Sequence, residues 1–228
     1  MKPAPTALVR RHDTHRLIPS KYREDGASVL ADLTDDDDDL AALFELDHAS
    51  NERLLAEHDR AIGIGTGELV FGVPYYRTIN AAFCHPHPEG ARFSSPERGA
   101  WYAAFERATA QAEVVFHRSL WLAEIARFED EVTYDDYLAD VSAELHDLHE
   151  PRFANVLSAT SYVASQKLAA ELLATGSLGV VYPSVRHRGG TCLALFRPML
   201  VQHVRRDKTL RFTWSGSVTP KIRVLSAK

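Results

Sequence analysis

Residues 90–113 of the chain read GARFSSPERGAWYAAFERATAQAE. Arg92 and the aromatic residue after it open the stretch, a turn-rich segment follows, and an apolar run then carries Tyr102. The stretch ends on Glu113, within a helical pattern. A cation, a phenol and a carboxylate in so short a span are more polar groups than a core element needs. We therefore predict that the stretch forms half of a site for an anionic ligand, with the other half near residues 182–186.

The spacing of Tyr102 and Glu113 constrains the backbone between them. In one continuous helix they would share a face but lie about 16 Å apart along the axis, too far to contact one small group. A strand over residues 100–105, followed by a helix from Arg107, would fold the chain back and bring the two side chains together. The glycine-bounded, aromatic-rich run favours the strand. We predict that the break falls between residues 105 and 107.

Composition limits the class of protein. The 228 residues, 45% of them apolar, suffice for one large domain or for a domain with an elaborated end. A net charge of −5 argues against binding nucleic acid through a basic surface. Two cysteines cannot build a disulfide framework and suit a reducing compartment. No segment has the apolar length of a signal peptide or of a membrane span. We expect a soluble, cytoplasmic protein with neither a membrane nor a nucleic acid as a direct partner.

The apolar pattern predicts two helices and three strands in the second half of the chain. The helices cover residues 109–121 and 162–174, and the strands cover residues 178–185, 191–196 and 210–214. Helices and strands alternate irregularly, and the strands cluster toward the end. This order indicates an α+β fold with a mixed central sheet flanked by helices.

The N-terminal region is less regular. Residues 1–12 contain two prolines and little to bury, so we predict a loose segment there. Residues 15–20 are predicted to form a short extended segment. Residues 37–60 carry leucines at helical spacing, which predicts an amphipathic helix or a broken pair.

A glycine-rich run, GIGTG at residues 63–67, raises the question of a phosphate-binding loop. The following residues, 68–74, read as a strand rather than a helix, and no Lys-Ser/Thr pair is present. We therefore predict a loop before a strand. Residues 75–83 read as a second extended segment with Arg77 inside it. An arginine among apolar residues should meet an anion, either a partner carboxylate or a ligand.

Several histidines and a cysteine are potential metal ligands. Cys84, His85 and His87 are too close in sequence to chelate one ion together, and no second pair stands at finger spacing. His146 and His149 lie three apart on a possible helix, with Glu150 adjacent; they could bind a metal, but an exposed helical face is the more common arrangement. We predict no metal site.

Three arginines, Arg77, Arg92 and Arg186, offer bidentate contacts to phosphate or carboxylate. The guanidinium geometry suits a diphosphate. The alternative that the residues leave open is an ordinary core with three surface or salt-bridged arginines.

Three further side chains suggest the rest of the ligand. Tyr102 can stack on a planar base. Glu113 can hydrogen-bond a ribose hydroxyl and stabilise positive charge at the anomeric carbon, as acids do in glycosidic chemistry. Ser184 can hydrogen-bond an amide or a phosphate. Together with the arginines, these groups fit a nucleotide with ribose and diphosphate, notably NAD.

The motifs Gly-x-Arg-aromatic, Gly-x-x-Tyr and Thr-Ala-x-x-Glu follow one another, and Tyr-Pro-Ser-x-Arg lies downstream. The residues that form them are Gly90, Arg92 and Phe93; Gly99 and Tyr102; Thr109, Ala110 and Glu113; and Tyr182, Pro183, Ser184 and Arg186. With the run at residues 190–198, their order and spacing resemble the RES domain, the toxin half of RES–Xre toxin–antitoxin pairs. The resemblance covers roughly residues 60–215.

The resemblance implies a role for each matching residue. It places the catalytic groups on Glu113, Arg77 and Ser184 and the NAD-binding groups on Arg92, Tyr102 and Arg186. Arg16 is the alternative for the first arginine, although its distance from Arg92 would require a long insertion. The chain has Ser94 where the family commonly has Asn, so a hydrogen bond there is expected to differ.

The resemblance also implies an activity. RES toxins have a fold similar to ADP-ribosylating toxins and cleave NAD, their substrate, at the nicotinamide–ribose bond. Some degrade free NAD by hydrolysis or phosphorolysis, and others transfer ADP-ribose to a protein. We predict an NAD-degrading toxin with an Xre-type antitoxin as partner. The alternatives are a protein ADP-ribosyltransferase with a target protein and a noncatalytic nucleotide-binding module.

The region shared with the family suggests a division of the chain. We predict an N-terminal extension over residues 1–60, partly helical and packed on the core, and a RES-like NAD-binding domain over residues 60–228. The two are expected to form one folded unit. The extension would cover the pocket, dock the antitoxin or bind a target protein, and the sequence leaves these three roles open.

Overall fold

The computed structural model describes residues 4–23 and 63–225. Within these residues the chain forms seven strands and three α-helices. The strands are β1 (Thr6–Pro19), β2 (Trp101–Ala104), β3 (Glu129–Asp147), β4 (Gly179–Pro183), β5 (Thr191–Leu195), β6 (Gln202–Ser215) and β7 (Lys221–Leu225). The helices are α1 (Tyr76–Cys84), α2 (Arg107–Glu124) and α3 (Val163–Ala174). The helix predicted over residues 37–60 and the domain boundary predicted at residue 60 lie outside the described residues.

The described strands form one mixed sheet in the order β1-β2-β5-β4-β3-β6-β7. β3 and β4 run parallel, whereas the other paired strands are antiparallel. β1 pairs with β2 and also with β3, so β1, β2, β5, β4 and β3 form a closed circuit. β6 and β7 extend the sheet beyond β3. The predicted α+β class, with a mixed sheet flanked by helices, is confirmed.

β3 is the long strand to which most of the sheet attaches. β1 pairs along it from Thr6 opposite His146 to Pro19 opposite Tyr134, and β6 pairs along its other edge. In its second half, alternate residues are buried, as expected of a strand with one face in the core. The sequence predicted neither β3 nor the full length of β1. The helix predicted around His146 is wrong, and the loose segment predicted over residues 1–12 is wrong from Thr6 onward.

The central strands bury both of their faces, and a helix covers each face. Their apolar runs contain side chains that alternate between two clusters. Val180, Tyr182 and Ala194 belong to the cluster that includes Leu172 of α3. Val181, Leu193 and Leu195 belong to the cluster that includes Ile79 and Phe83 of α1. A third cluster joins Leu122 of α2 to β3 and β6. The strands predicted for β4 and β5 are confirmed.

The segment before β2 differs from the sequence prediction. Residues 75–83 were predicted as a strand, but α1 begins at Tyr76, and it buries Ile79 and Phe83 one turn apart. The strand predicted over residues 68–74 is also wrong, because a short 3-10 turn (Thr66–Glu68) and a loop occupy this region. Tertiary packing has overridden the β propensity of these aromatic and β-branched residues.

Ion pairs of Glu68 with two arginines hold the glycine-rich run in place. Arg98, which is buried, donates two hydrogen bonds to the Glu68 carboxylate at 2.9 and 2.7 Å and another to the carbonyl of Gly63 at 2.9 Å. Arg197 also pairs with Glu68. The hydrogen bond from Arg98 is the main cause that lowers the pKa of Glu68 to about 2. This loop binds cations of its own chain and is not a phosphate cradle.

The predicted break between strand and helix is confirmed. β2 ends at Ala104, α2 begins at Arg107, and Glu106 between them has an extended backbone with φ −126° and ψ 142°. The backbone N–H of Thr109 donates to the carbonyl of Glu106 at 3.0 Å, which begins the helix at this turn. The chain therefore folds back between Tyr102 and Glu113.

Two adjacent carboxylates of β3 are buried at the junction of several elements. Asp136 is fully buried and accepts hydrogen bonds from His15 Nδ1 at 2.9 Å and from Arg107 Nε at 2.6 Å. Asp207 also pairs with Arg107, at the more exposed end of the guanidinium. Asp136 thus joins β1, β3 and the first residue of α2.

Asp135 makes a second junction on the neighbouring position of β3. It is fully buried and accepts two hydrogen bonds from Arg23 at 2.9 and 2.8 Å and one from Thr209 Oγ1 at 2.5 Å. Burial alone would raise the pKa of Asp135, but these hydrogen bonds outweigh burial and lower the pKa. Asp135 therefore joins β3 to β6 and to the end of the first described segment.

We expect Asp136→Asn to lower the free energy of unfolding by about 3–5 kcal/mol, because His15 and Arg107 would lose a buried anion. Asp207→Asn is the matched control, since it removes the partly exposed partner of the same arginine and should change the free energy by about 0–1 kcal/mol. Urea denaturation followed by circular dichroism measures both. Equal losses in the two variants would contradict the junction role of Asp136.

Candidate functional site

A cavity of about 480 Å³ opens between β1, β2 and α2. Its volume lies within the range of about 300–1,000 Å³ that is usual for small-molecule sites. The residues that line it are His15, Arg16, Leu17, Ala91, Arg92, Tyr102, Ala103, Ala104, Ala110, Glu113, Val114, His117, Arg118, Trp121, Tyr134, Tyr162, Tyr182 and Cys192. The cavity thus brings together Arg92, Tyr102 and Glu113, three of the six predicted site residues.

Glu113 is half-buried and lies on the second turn of α2. The hydroxyl of Ser184 donates a hydrogen bond to its Oε1 atom at 2.7 Å, and Cys192 Sγ lies 3.7 Å from the same oxygen. Ser184 itself is not among the lining residues, but this bond fixes the carboxylate that is. The structure therefore places Ser184 and Glu113 together, as part of one unit.

Ser184 sits in a tight turn that follows β4. Its hydroxyl oxygen accepts hydrogen bonds from the backbone N–H groups of Arg186 at 3.1 Å and His187 at 3.0 Å. His187 Nδ1 lies 2.8 Å from the Thr109 hydroxyl of α2, one helical turn before Glu113. At Gly190, a Cβ atom would come within 2.2 Å of that hydroxyl oxygen, so the close approach of the turn to α2 requires glycine.

Tyr102 supports the turn that carries Arg92. Its hydroxyl donates to Ser94 Oγ at 3.1 Å and accepts from the backbone N–H of Phe93 at 2.9 Å. Burial raises the pKa of Tyr102 to about 12, so the phenol keeps its proton at neutral pH. Ser94 Oγ thus accepts a hydrogen bond from the phenol. Gly90, with φ +71°, precedes this turn, and a Cβ atom there would lie 2.4 Å from the Ser94 carbonyl oxygen.

Arg92 is buried and reaches the cavity from the tip of the turn. Its Nη1 donates to the carbonyl of Ser158 at 2.8 Å, and its guanidinium lies 4.7 Å from the centre of the Tyr162 ring. Arg186 also contacts this part of the chain, through the carbonyl of Ala159 at 2.6 Å and the Phe116 ring. Arg186 does not line the cavity, so the structure separates it from the predicted ligand-binding group.

Arg16, and not Arg77, lines the cavity together with Glu113. Arg77 lies exposed on α1, contacts Tyr76 and does not line the cavity. Arg16 of β1 lines the cavity, donates to the carbonyl of Tyr102 at 3.1 Å and lies 4.7 Å from the centre of the Trp101 ring. This cavity thus contains Arg16 in place of the predicted Arg77. The physical reason is that β1 pairs beside β2, with His15 opposite Ala104, which brings Arg16 next to the cavity despite its distance from Arg92 in sequence.

Arg16 has an incompletely satisfied guanidinium. Its Nε atom is buried and has no hydrogen-bond partner among the described residues. Burial lowers the pKa of Arg16 to about 10, which leaves the side chain charged at neutral pH. An unpaired buried donor is unfavourable. Arg16 therefore brings a charged guanidinium to the wall of the cavity.

Several lining residues were not predicted from the sequence. His117 follows Glu113 by four positions, so helical spacing places it on the same face of α2. His117 keeps contact with solvent, but partial desolvation lowers its pKa; Glu113 opposes this effect, and Arg186 and Arg92 add to it. The imidazole is therefore neutral at pH 7.

Two further lining groups lie behind Glu113. Burial raises the pKa of Tyr182 well above its ordinary value, and its ring packs edge-on against Phe93 with centroids 4.9 Å apart. Burial also raises the pKa of the Cys192 thiol, and the charge of Glu113 adds to this rise. Both groups stay protonated and neutral, so Glu113 is the acidic residue among those lining the cavity.

The arrangement combines an oriented carboxylate, two arginines and aromatic walls. Such a site can bind an anionic ligand through the arginines and stabilise positive charge that develops near Glu113. Among residues 4–23 and 63–225, no cluster of His, Cys, Asp and Glu has the arrangement that a metal ion needs. No helix in the described part of the chain is both long and apolar enough to span a bilayer.

Comparisons with known proteins give a family and a fold. The family model of the RES domain matches residues 69–215, more than half of the chain. No curated protein matches the sequence. Among solved structures, a chain of the M. tuberculosis MbcT–MbcA toxin–antitoxin complex is similar, with a TM-score of 0.50 and 12% identity. The match covers 91% of this chain and 87% of that chain. At this identity the likeness shows the fold alone.

We expect Glu113→Gln to lower the pKa of His117 further, because the carboxylate favours the imidazolium form. An NMR titration of the histidine ring signals measures the change. Glu171→Gln is the control, since this exposed glutamate of α3 is not among the groups that act on His117. An unchanged His117 pKa in Glu113→Gln would contradict the described proximity of the two groups.

Proposed function

The chain belongs to the RES domain family, and from this premise we propose that it is a toxin that cleaves NAD at the nicotinamide–ribose bond. One observation carries the proposal: the Glu113 carboxylate, held by Ser184, faces the same cavity as Arg16, Arg92 and Tyr102. Breaking this glycosidic bond builds positive charge on the ribose, so a fixed carboxylate beside the anomeric carbon lowers the barrier.

In the proposed reaction, the bond between the anomeric carbon and the nicotinamide nitrogen breaks, and both electrons leave with neutral nicotinamide. Glu113 stabilises the oxocarbenium-like ribose that remains. Water or phosphate then attacks the anomeric carbon, and a proton is released when water is the nucleophile. The products are ADP-ribose or its 1-phosphate. Ser184 keeps the carboxylate oriented, because its hydroxyl donates to Oε1 at 2.7 Å.

The protonation states around Glu113 support this role. His117 is neutral at pH 7, and the Cys192 thiol and the Tyr182 phenol keep their protons. No neighbouring anion shares the task with Glu113 among the cavity residues, and the neutral imidazole adds no positive charge where the ribosyl cation forms.

The arginines are proposed to hold the diphosphate. Arg16 presents a charged guanidinium with a buried Nε that lacks a partner among the described residues. Arg92, fixed by Ser158 and Tyr162, presents a second cation to the same cavity. We therefore assign to Arg16 the role first given to Arg77. Arg186 is proposed to hold the turn that contains Ser184 in position and not to contact the ligand.

The toxin is proposed to act in the cytoplasm and to be neutralised by an antitoxin of the Xre type. The similar solved structure is a toxin–antitoxin complex, which supports a protein partner of this kind. The N-terminal region and the family-matched region are proposed to form one folded unit, because β1 is paired within the same sheet as the strands of the matched region.

The carboxylate is tested directly. Glu113→Gln should lower the rate of NAD loss at least about 10²-fold, because transition-state charge would lose its main stabilising group. The assay follows NAD with protein freed of antitoxin, with and without phosphate. Glu171→Gln, on the exposed face of α3, should leave the rate unchanged. Wild-type protein that leaves NAD intact, with phosphate and lysate proteins both present, would overturn the proposed function.

Product analysis with labelled NAD identifies the acceptor in the same experiment. Free ADP-ribose indicates hydrolysis, and its 1-phosphate, formed only when phosphate is added, indicates phosphorolysis. A labelled protein band that disappears with Glu113→Gln would assign the chain as a protein ADP-ribosyltransferase instead.

The choice between the two arginines gives a further prediction. Arg16→Gln should raise the KM for NAD about tenfold or more, because a charged hydrogen bond to the diphosphate would be lost. Arg77→Gln should leave KM and kcat near their wild-type values, since Arg77 lies exposed outside the cavity. Circular dichroism checks that both variants fold. The reverse result would restore Arg77 to the site.

A further inference from the structure

We propose that Trp121, backed by Arg118, is the platform on which the nucleobase of the ligand stacks at the outer end of the cavity. This inference rests on the proposed function, and it names the end of the site that binds the adenine ring of NAD. Trp121 lines the cavity and yet is 44% exposed. A large aromatic ring left open at the mouth of a cavity is available surface for a planar ligand.

The Trp121 ring is held in place from one side. The guanidinium of Arg118 lies over the ring, 4.2 Å from its centre, and Asp130 accepts a hydrogen bond from Arg118 Nε at 2.7 Å. Asp130 thus fixes Arg118, and Arg118 supports the indole. A base that stacks on the ring would complete a layered arrangement of cation, indole and base, which is the mode by which aromatic residues bind bases without reading their sequence.

The position of Trp121 along α2 suits a dinucleotide. Glu113, His117 and Trp121 are spaced four residues apart and share one face of the helix, and all three line the cavity. The eight residues from Glu113 to Trp121 correspond to about 12 Å along the helix axis. A dinucleotide likewise separates the ribose carbon that reacts from the base at its far end by the length of its diphosphate bridge.

The lining also changes in chemistry between the two ends. Near Glu113 it contains hydrogen-bonding groups and the arginines of the diphosphate site. Leu17, Val114 and Tyr134 line the cavity as well, and they pack in the apolar cluster between α2 and the strands β3 and β6. Arg118 and Trp121 line the cavity together with these residues, and the charge of Arg118 partly offsets the rise that burial causes in the pKa of Tyr134. This end suits a base better than a phosphate.

Residues in and just after the same helix offer neighbouring controls. Leu120 and Ile125 are also exposed, at 49% and 47%, but neither lines the cavity. A surface used only for docking another protein would draw on Leu120 and Ile125 as much as on Trp121. A base platform would depend on Trp121 alone.

The tryptophan content of the chain makes the test selective. The chain has three tryptophans, and Trp101 and Trp214 are buried at 0% and 1% exposure. Acrylamide should therefore quench the fluorescence of Trp121 more than that of the other two. We expect AMP to protect this fluorescence from acrylamide in the wild-type protein, whereas ribose 5-phosphate, which lacks a base, should not. In Trp121→Phe the protected component should disappear.

Binding and kinetics give a second readout. Trp121→Ala should weaken AMP binding in calorimetry, and raise the KM for NAD, about tenfold or more, with kcat little changed. Trp121→Phe should restore most of the affinity, and Leu120→Ala should match the wild type. AMP that binds without protecting Trp121, or Leu120→Ala that weakens binding as much as Trp121→Ala, would overturn the proposal.

The two proposals fail in different ways. If AMP protects Trp121 but NAD is not cleaved, the base platform stands and the proposed reaction falls. If NAD is cleaved in a Glu113-dependent manner and Trp121→Ala has wild-type KM, the reaction stands and the platform falls.

Discussion

Two adjacent carboxylates on β3, Asp135 and Asp136, hold the molecule together at its centre. Asp136 binds β1 through His15 and the start of α2 through Arg107, while Asp135 binds β6 through Thr209. Both are fully buried, so each needs its partners to offset the loss of water. Arg16 and Glu113, which both line the cavity, depend on this arrangement. Arg16 follows His15 directly, and Glu113 lies on the helix that Arg107 begins.

Some side chains line the cavity, and hydrogen bonds from other groups hold those side chains in position. The hydroxyl of Tyr102 is committed to the turn of Arg92, and the hydroxyl of Ser184 is committed to Glu113 and to the turn after β4. These bonds fix the cation and the carboxylate from opposite sides. A substitution of Tyr102 or Ser184 is therefore expected to shift Arg92 or Glu113 without removing it.

The sequence predicted the parts of the fold that depend on local pattern. The apolar runs of β4 and β5, the periodicity of α2 and α3, and the break between β2 and α2 were all confirmed. The sequence pattern does not predict β3, because its acidic residues interrupt the alternation of apolar and polar positions. The partners that allow these acidic residues to be buried, such as Arg23 for Asp135, lie far away in sequence. α1 was misread because its β-branched and aromatic residues favour a strand until Ile79 and Phe83 find the core. The sequence favours Arg77 over Arg16 because Arg77 lies closer to Arg92 along the chain. The closed circuit of strands, which brings β1 beside β2, is not visible in the sequence.

The closed circuit of strands has a consequence for the order in which the protein is made. β1 leaves the ribosome early, but its partners β2 and β3 are synthesised much later, and the circuit closes only after β4 and β5 have followed. Contacts between such distant segments slow folding, because the chain must lose the entropy of closing a long loop before the contacts form. Since Arg16 belongs to β1 and Cys192 to β5, the cavity that both residues line is complete only after β5 has been synthesised. On the proposed function, the chain would therefore acquire its activity only late in its synthesis.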